Sequence, residues 1–268
     1  MARDPNLSAR GRDLAAEAWA EACELIDLQL SPLGLEAIEA LDPGPGSVVL
    51  DIGCGAGQTL LQLAERVGPS GQVIGVDIAP QLLEIARRRT AQLGRVRLIE
   101  ADAQSLELPT ASVDAVFSRF GVMAFADPGS AFANFHRILR PSGALAFSCW
   151  RSLEENELDH LPLSAAGLKE AVDDTPFSFA DPVRLRRTLE AAGFSDIAIR
   201  AHDGSVSSGD LDAMTRVLLK VGPLGKIVRE NPNLRGAAEP QLRQALAALG
   251  DPSRVKLQAS IWIVTAKA

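Results

Sequence analysis

The run Ser47-Val-Val-Leu-Asp-Ile-Gly-Cys-Gly-Ala-Gly57 constrains this chain more than any other stretch. Val48 to Leu50 is short, apolar and rich in β-branched residues, the composition of a strand covered on both faces. Glycines at alternate positions follow, at Gly53, Gly55 and Gly57. They let the backbone turn sharply and approach a ligand without Cβ clashes. A helix is predicted from about Gln58 to Val67. The unit is therefore strand, glycine loop, helix, which builds nucleotide sites at the carboxyl edge of a parallel sheet.

The rest of the chain supports that sheet. Strands are predicted at 47–51, 72–77, 96–100, 113–118, 144–149, about 196–202 and 257–265. Helices are predicted at 58–67, from Pro80 to about Gly94, from Gly129 to Leu139 and from Val183 to Ala192. Alternation of this kind predicts an α/β fold with a doubly wound, mostly parallel seven-stranded sheet, Rossmann-like, with helical cap segments. The cap is expected at 1–40, with the α/β domain at 41–268 and further cap insertions at about 151–178 and 210–250. Within the cap, residues 1–12 read as a frayed start. A helix runs from Asp13 to Leu30 with Leu14, Ala18, Cys23, Leu25 and Leu28 as its buried stripe. Ser31-Pro32-Leu33-Gly34 breaks it before a short helix at 35–40, and another helix is expected near Leu163–Val172.

Composition narrows the ligand. A net charge of −7 and a pI near 5.1 argue against a nucleic-acid face, which needs clustered Lys and Arg. Arg87, Arg88 and Arg89 sit late in a helix, where cations complement the dipole. Arg184, Arg186 and Arg187 read as a solvated face. Cys23, Cys54 and Cys149 form no disulfide framework and no zinc spacing, which fits a reducing cytoplasm, and no metal is expected. No signal peptide is visible and no apolar run approaches membrane-spanning length. Tyrosine is absent, which removes one type of acid or base from consideration.

The loop reads G-x-G-x-G, where a dinucleotide fingerprint reads G-x-G-x-x-G, and the phosphate-cradling G-x-x-x-x-G-K-[ST] is missing. Asp51 stands at the loop mouth, where a carboxylate repels phosphate and suits a ligand carrying an ammonium and a sulfonium. S-adenosylmethionine is such a ligand. Asp77 ends the second strand and can accept from both ribose hydroxyls, although nicotinamide folds use an acid in the same way. Asp102, after the third strand, can accept from an adenine amine.

Together these motifs resemble the class I S-adenosylmethionine-dependent methyltransferases. The resemblance covers about 47–150, through Val-Leu-Asp-Ile-Gly-Cys-Gly-Ala-Gly, Val-Ile-Gly-Val-Asp, Ala-Asp-Ala, Leu-Pro-x3-Val-Asp-Ala-Val-Phe-Ser and Arg-Ile-Leu-Arg-Pro-Ser-Gly. It implies cofactor roles for Asp51, Gly53, Cys54, Gly55, Asp77, Ile78, Asp102, Ala103 and, by its backbone, Ser118. Trp19, with Asp27 and Pro32-Leu33-Gly34, resembles a segment that lids the cofactor in small-molecule members; a core tryptophan is the equal alternative. Arg119 can pair with a cofactor or substrate carboxylate, or form a structural ion pair.

The function implied is methyl transfer to an oxygen, carbon or nitrogen atom of a small molecule. An Asn- or Asp-Pro-Pro-aromatic motif, which marks enzymes acting on nucleic-acid bases, is missing after the fourth strand. His160, near Glu155 and Asp159, is the candidate general base, ahead of His136 and His202. Trp150 and the residues Leu161, Leu163, Phe177, Phe179 and Met214 are candidates to line the acceptor pocket. The expected partner is the small-molecule acceptor, with no nucleic acid and no membrane; a homodimer is compatible with the chain but not specified by it. Two other readings stay open: a non-methylating member that keeps the cofactor as a structural or regulatory ligand, and a nicotinamide-dependent oxidoreductase.

Overall fold

The computed structural model describes residues 5–168 and 172–268, with the backbone alone at 5–10. Seven strands are present: β1 (Val48–Ile52), β2 (Gln72–Asp77), β3 (Val96–Glu100), β4 (Val113–Arg119), β5 (Leu139–Trp150), β6 (Ser195–Val206) and β7 (Leu257–Lys267). They form one sheet in the order β3-β2-β1-β4-β5-β7-β6. The β1–β2, β1–β4, β2–β3 and β4–β5 pairs are parallel, and β7 runs antiparallel to β5. Strand order reverses between β1 and β4, so the crevice at their carboxyl ends is the switch point where such sheets take ligands.

Two compact units are distinguishable among the described residues. The α/β unit comprises Leu33–Ser152, Thr175–His202 and Ser260–Ala268; the helical unit comprises the described residues within Met1–Pro32, Leu153–Asp174 and Asp203–Ala259. In the α/β unit the core is built on β1, β4 and β5, where Val49, Leu50, Val116, Phe117, Ala146 and Phe147 are fully buried. Helix α3 (Gln58–Val67) lays Leu60, Leu63, Ala64 and Val67 onto it. Gly75 of β2 leaves the room that Leu60 and Cys54 fill: a Cβ there would lie 2.8 Å from Leu60 and 2.9 Å from Cys54 Sγ. Asp114 joins two strand ends by accepting from Val48 N at 2.8 Å while it pairs with Arg140.

The N-terminal helices differ from the sequence reading. Helix α1 covers Pro5–Glu21 and α2 covers Cys23–Leu41, so Pro32 lies inside a helix and the interruption falls near Ala22. Pro32 removes one helix hydrogen bond, but the buried series Ala22, Ile26, Leu30, Leu33, Ala37 and Ile38 runs past it at helical spacing. That phase leaves Leu28 outside, 61% exposed, and corrects its assignment to the buried stripe. Of the residues read as a frayed start, 5–12 are helical and 1–4 lie outside the described residues.

Elsewhere the boundaries move for local reasons. Helix α4 (Pro80–Thr90) stops short of Gly94, with proline in its first turn. Helix α5 (Pro128–Ile138) begins behind an Asp127 carboxylate that accepts from Ser130 N at 3.1 Å. The strand after it starts at Leu139, earlier than predicted, because a register shift opposite Val113/Ala115 absorbs the Pro141-Ser-Gly143 turn. In the helical unit, α6 is Glu157–Ala165, not Leu163–Val172; Asn156 stands at its N-cap and Glu157 and Asp159 in its first turn favour that start, while 169–171 lie outside the described residues. Helix α7 (Pro182–Ala191) of the α/β unit carries Arg184, Arg186 and Arg187 on its exposed face. The helical unit continues with α8 (Leu211–Leu218), α9 (Gly222–Glu230) and α10 (Arg235–Ala247). Leu163 and Met214 are buried packing residues of the helical unit, as Phe177 and Phe179 are of the α/β unit. No helix among the described residues is long and apolar enough to cross a membrane.

Candidate functional site

The glycine loop leaves β1 at the switch point, and its conformation depends on glycine. Gly53, Gly55 and Gly57 have φ of 70°, 53° and 85°, a region that side chains disfavour. A hydrogen bond from each of Gly53 N and Cys54 N to Val76 O, at 2.8 and 3.0 Å, fastens the loop to β2. Gly57 then lets α3 start close to α4, where a Cβ would meet Ala86 Cβ at 2.9 Å. Gly55 differs, because nothing lies within 4 Å of a Cβ placed on it. The loop therefore has open space on that side.

Asp77 closes the loop from β2. Its Oδ2 accepts from Gly55 N at 2.8 Å and its Oδ1 from Ala79 N at 2.9 Å. Each carboxylate oxygen has a second lone pair, so ribose hydroxyls can still be accepted. Burial raises its pKa against the lowering effect of those backbone donors. Ile78 beside it is an apolar side chain that is 55% exposed. Asp102 is exposed and accepts from Gln104 N at 2.9 Å, and Ala103 is buried.

Asp51 is placed otherwise than at the loop mouth. It is fully buried beneath the loop, where Oδ2 accepts from Thr59 Oγ1 at 2.5 Å and Oδ1 meets no partner. Burial pushes its pKa up from 3.8 to about 7; Thr59 and Arg119 oppose the shift and Asp77 adds to it. Burial, then the Asp51 and Asp77 charges, also raise the Cys54 thiol well above its ordinary value. Cys54 is thus a packing residue of the loop in a field of negative sign.

Arg119 ends β4 and bonds Gln58 at the start of α3. Its methylenes cross the face of α2 at Gly34, where a Cβ would lie 2.7 Å from Arg119 Cδ. Ser118 is fully buried, and its hydroxyl donates to Ile52 O at 2.7 Å and accepts from Gly121 N at 3.1 Å. Gly121 in turn abuts the loop, with Gly53 Cα 3.0 Å from where its Cβ would be. Phe120 between them has φ of 62° and stacks on Trp150.

Several of these contacts were outside the reach of sequence reasoning. Arg89, read as a dipole complement, also donates to Ala56 O at 3.2 Å and so braces the glycine loop from α4. Gly121 carries no motif that would reveal its close approach, and the Pro32-Leu33-Gly34 run, read as part of a lid segment, gives no sign of the Arg119 stem packed on Gly34. Trp19 and His160 belong to the helical unit, each partly exposed on its helix. His136 is edge-on to Phe194 at 5.2 Å, and His202 faces Glu36 at 3.5 Å, so both have structural partners.

The residues present fit S-adenosylmethionine. Open space over Gly55, an acid with spare lone pairs at β2 and a loop underlain by a second acid suit an adenosyl cation, and they oppose a diphosphate.

Known proteins share parts of this sequence and its fold. Residues 49–143 match a family model described as a methyltransferase domain. An uncharacterized 37.1 kDa protein in a Streptomyces fradiae transposon is 37% identical over 160 residues, 59% of this chain and 46% of that one. A demethylmenaquinone methyltransferase from Staphylococcus epidermidis is 29% identical over 178 residues, 61% of this chain and 74% of that one. Aklanonic acid methyltransferase DauC from a Streptomyces species is 37% identical over 120 residues, 44% of this chain and 54% of that one. The chain thus spans about half the length of two of these three curated relatives. Among solved structures, a Haemonchus contortus phosphoethanolamine N-methyltransferase 2 in complex with S-adenosyl-L-methionine shares the fold. Its TM-score is 0.56 at 20% identity, over 88% of this chain and 52% of that one. Strand order, glycine loop and acid placement converge with the family match: residues 49–143 carry a methyltransferase domain of the class I S-adenosylmethionine-dependent kind.

Proposed function

We propose that this chain transfers the methyl group of S-adenosylmethionine to an oxygen, carbon or nitrogen atom of a small molecule by direct displacement. The observation that carries the reading is the acid-backed glycine loop at the switch point, open at Gly55 and closed by Asp77. Relatives named for demethylmenaquinone and aklanonic acid support a small organic acceptor.

When bound, S-adenosylmethionine would supply an electrophilic methyl group, taken by an electron pair of the acceptor while the carbon–sulfur bonding pair goes to sulfur. The protein's part is orientation, worth roughly 7–11 kcal/mol in favourable cases. The loop main chain holds the methionyl end, Asp77 the ribose, and Ile78, Asp102 and Ala103 the base. His160 is the side chain proposed to take a proton where the acceptor must lose one, and Trp19 to shield the cofactor. Incubation with methyl-labelled cofactor and candidate acceptors tests the reading. Label in an organic product supports it. Tight binding of cofactor and demethylated product without transfer to any acceptor favours a non-methylating role, and loss of absorbance at the reduced nicotinamide band would instead mark an oxidoreductase.

Arg119 is assigned to the carboxylate of the methionyl group. Arg119→Met is expected to weaken S-adenosylhomocysteine by about tenfold or more, the worth of a charge-assisted hydrogen bond. Binding of 5′-methylthioadenosine, which lacks the amino-acid moiety, should stay within twofold. Gly34→Ala should act in the same direction by pushing the Arg119 stem aside. Equal losses for both ligands in calorimetric titrations would refute the assignment.

Asp51 predicts a pH dependence. Its folded-state pKa, about 7, lies above the unfolded 3.8, so the folded state holds an extra proton between them. Its contribution to stability is therefore fully favourable below the unfolded value and is lost as pH rises toward about 7. A cationic ligand favours the ionised form, so S-adenosylmethionine binding should release a proton and tighten as pH rises from about 6 to 8. Asp51→Asn should flatten that profile, and neutral 5′-methylthioadenosine should show little of it.

A further inference from the structure

We propose that Phe120 and Trp150 form a flat platform that receives a planar, conjugated acceptor such as a hydroxyarene or quinol, and that Phe120 selects it. This deepens the methyl-transfer reading and rests on it. Trp150 ends β5, and Phe120 directly follows Arg119, the last residue of the neighbouring strand β4, at the carboxyl edge of the sheet. Their rings lie 4.1 Å apart at 14°. Phe125, Phe132, Phe135, Phe147 and Phe179 pair differently, tilted or edge-on at 5.6–5.9 Å. Edge-on packing closes a cluster, whereas a parallel pair is the start of a stack that a third flat ring can extend. Trp150 is 9% exposed, while Phe120 is only half-buried and is the outer member.

The backbone at Phe120 carries the second part of the case. Its φ of 62° and ψ of 2° are left-handed, a conformation that costs a bulky side chain and that glycine adopts freely. Such strain persists where the surroundings over-determine it. Here Phe120 N donates to Ser148 O at 3.1 Å, and Gly121 N to Ser118 Oγ at 3.1 Å. Gly121 is wedged against Ile52 O, 2.4 Å from its would-be Cβ. The ring's direction is thereby fixed by main chain that touches the glycine loop. A flat acceptor on that ring lies beside the loop that holds the methyl donor, with its rim free to present the reacting atom. A saturated, puckered acceptor gains no such stacking.

The test uses the whole 268-residue chain, S-adenosylhomocysteine and two probes with the same carbon frame, 2-naphthol and decahydro-2-naphthol. Equilibrium dialysis of the protein loaded with S-adenosylhomocysteine should show 2-naphthol bound at least about tenfold more tightly than its saturated counterpart. Phe120→Leu should remove most of that preference while S-adenosylhomocysteine affinity stays within twofold. Phe120→Gly, which relieves the backbone, should remove it too. Equal binding of the two probes to the wild-type protein would overturn the platform, as would a preference that survives both substitutions. Failure of S-adenosylhomocysteine itself to bind would instead overturn the methyl-transfer reading.

Discussion

Asp77→Ala should weaken S-adenosylmethionine and S-adenosylhomocysteine binding by about two orders of magnitude or more, because three losses coincide. The acceptor proposed for the ribose hydroxyls is removed. Gly55 N and Ala79 N lose the oxygens they reach at 2.8 and 2.9 Å, so the open turn of the glycine loop is no longer tied to β2. The local negative charge also falls in a place where a cation is to be bound. Asp77→Asn separates these contributions, since its amide oxygen can keep one backbone donor while its nitrogen can accept from none. Its affinity should fall between the two. Isothermal titration at pH 8 reads all three proteins, and an alanine variant within twofold of wild type would remove Asp77 from the site.

Gly121→Ala should lower stability by about 3 kcal/mol and the thermal midpoint by about 6–12 °C. The added methyl would sit 2.4 Å from Ile52 O and 2.9 Å from Ser118 Oγ. Neither neighbour can yield cheaply: Ile52 is the last residue of β1, and Ser118 Oγ already bonds Ile52 O. Gly55→Ala is the informative contrast. Its Cβ meets nothing within 4 Å, and the residue would bear only the left-handed strain at φ 53°, on the order of 1–2 kcal/mol. It should stay folded and lose cofactor affinity, since the methyl enters ligand space. Scanning calorimetry paired with ligand titration distinguishes a structural glycine from a ligand-facing one. Similar midpoints for the two variants would contradict the packing described at Gly121.

The difference between these two glycines shows how much of the site was legible beforehand. The loop run itself marks Gly53, Gly55 and Gly57, because left-handed turns after an apolar strand are local events written in consecutive residues. Gly121 looks like any loop glycine, since what crowds it is the far end of another strand. The same holds for Pro32, which reads as a helix breaker until the buried residues on either side are seen to follow one helical face.

By itself the sequence determined the alternation of strands and helices, the glycine turn, and the succession of acids at Asp51, Asp77 and Asp102 that points to an adenosyl ligand free of phosphate. These rest on short-range periodicity and backbone preference, which act between neighbours along the chain. The tertiary structure alone decided that Asp51 lies buried beneath the loop with its pKa raised, that Arg119 bonds Gln58, 61 positions away, and that Arg89 reaches back 33 positions to Ala56. It also decided that Phe120 is held strained against Trp150. Burial, Coulomb energy and steric approach depend on which distant segments the fold brings together, and no local window of the chain contains them.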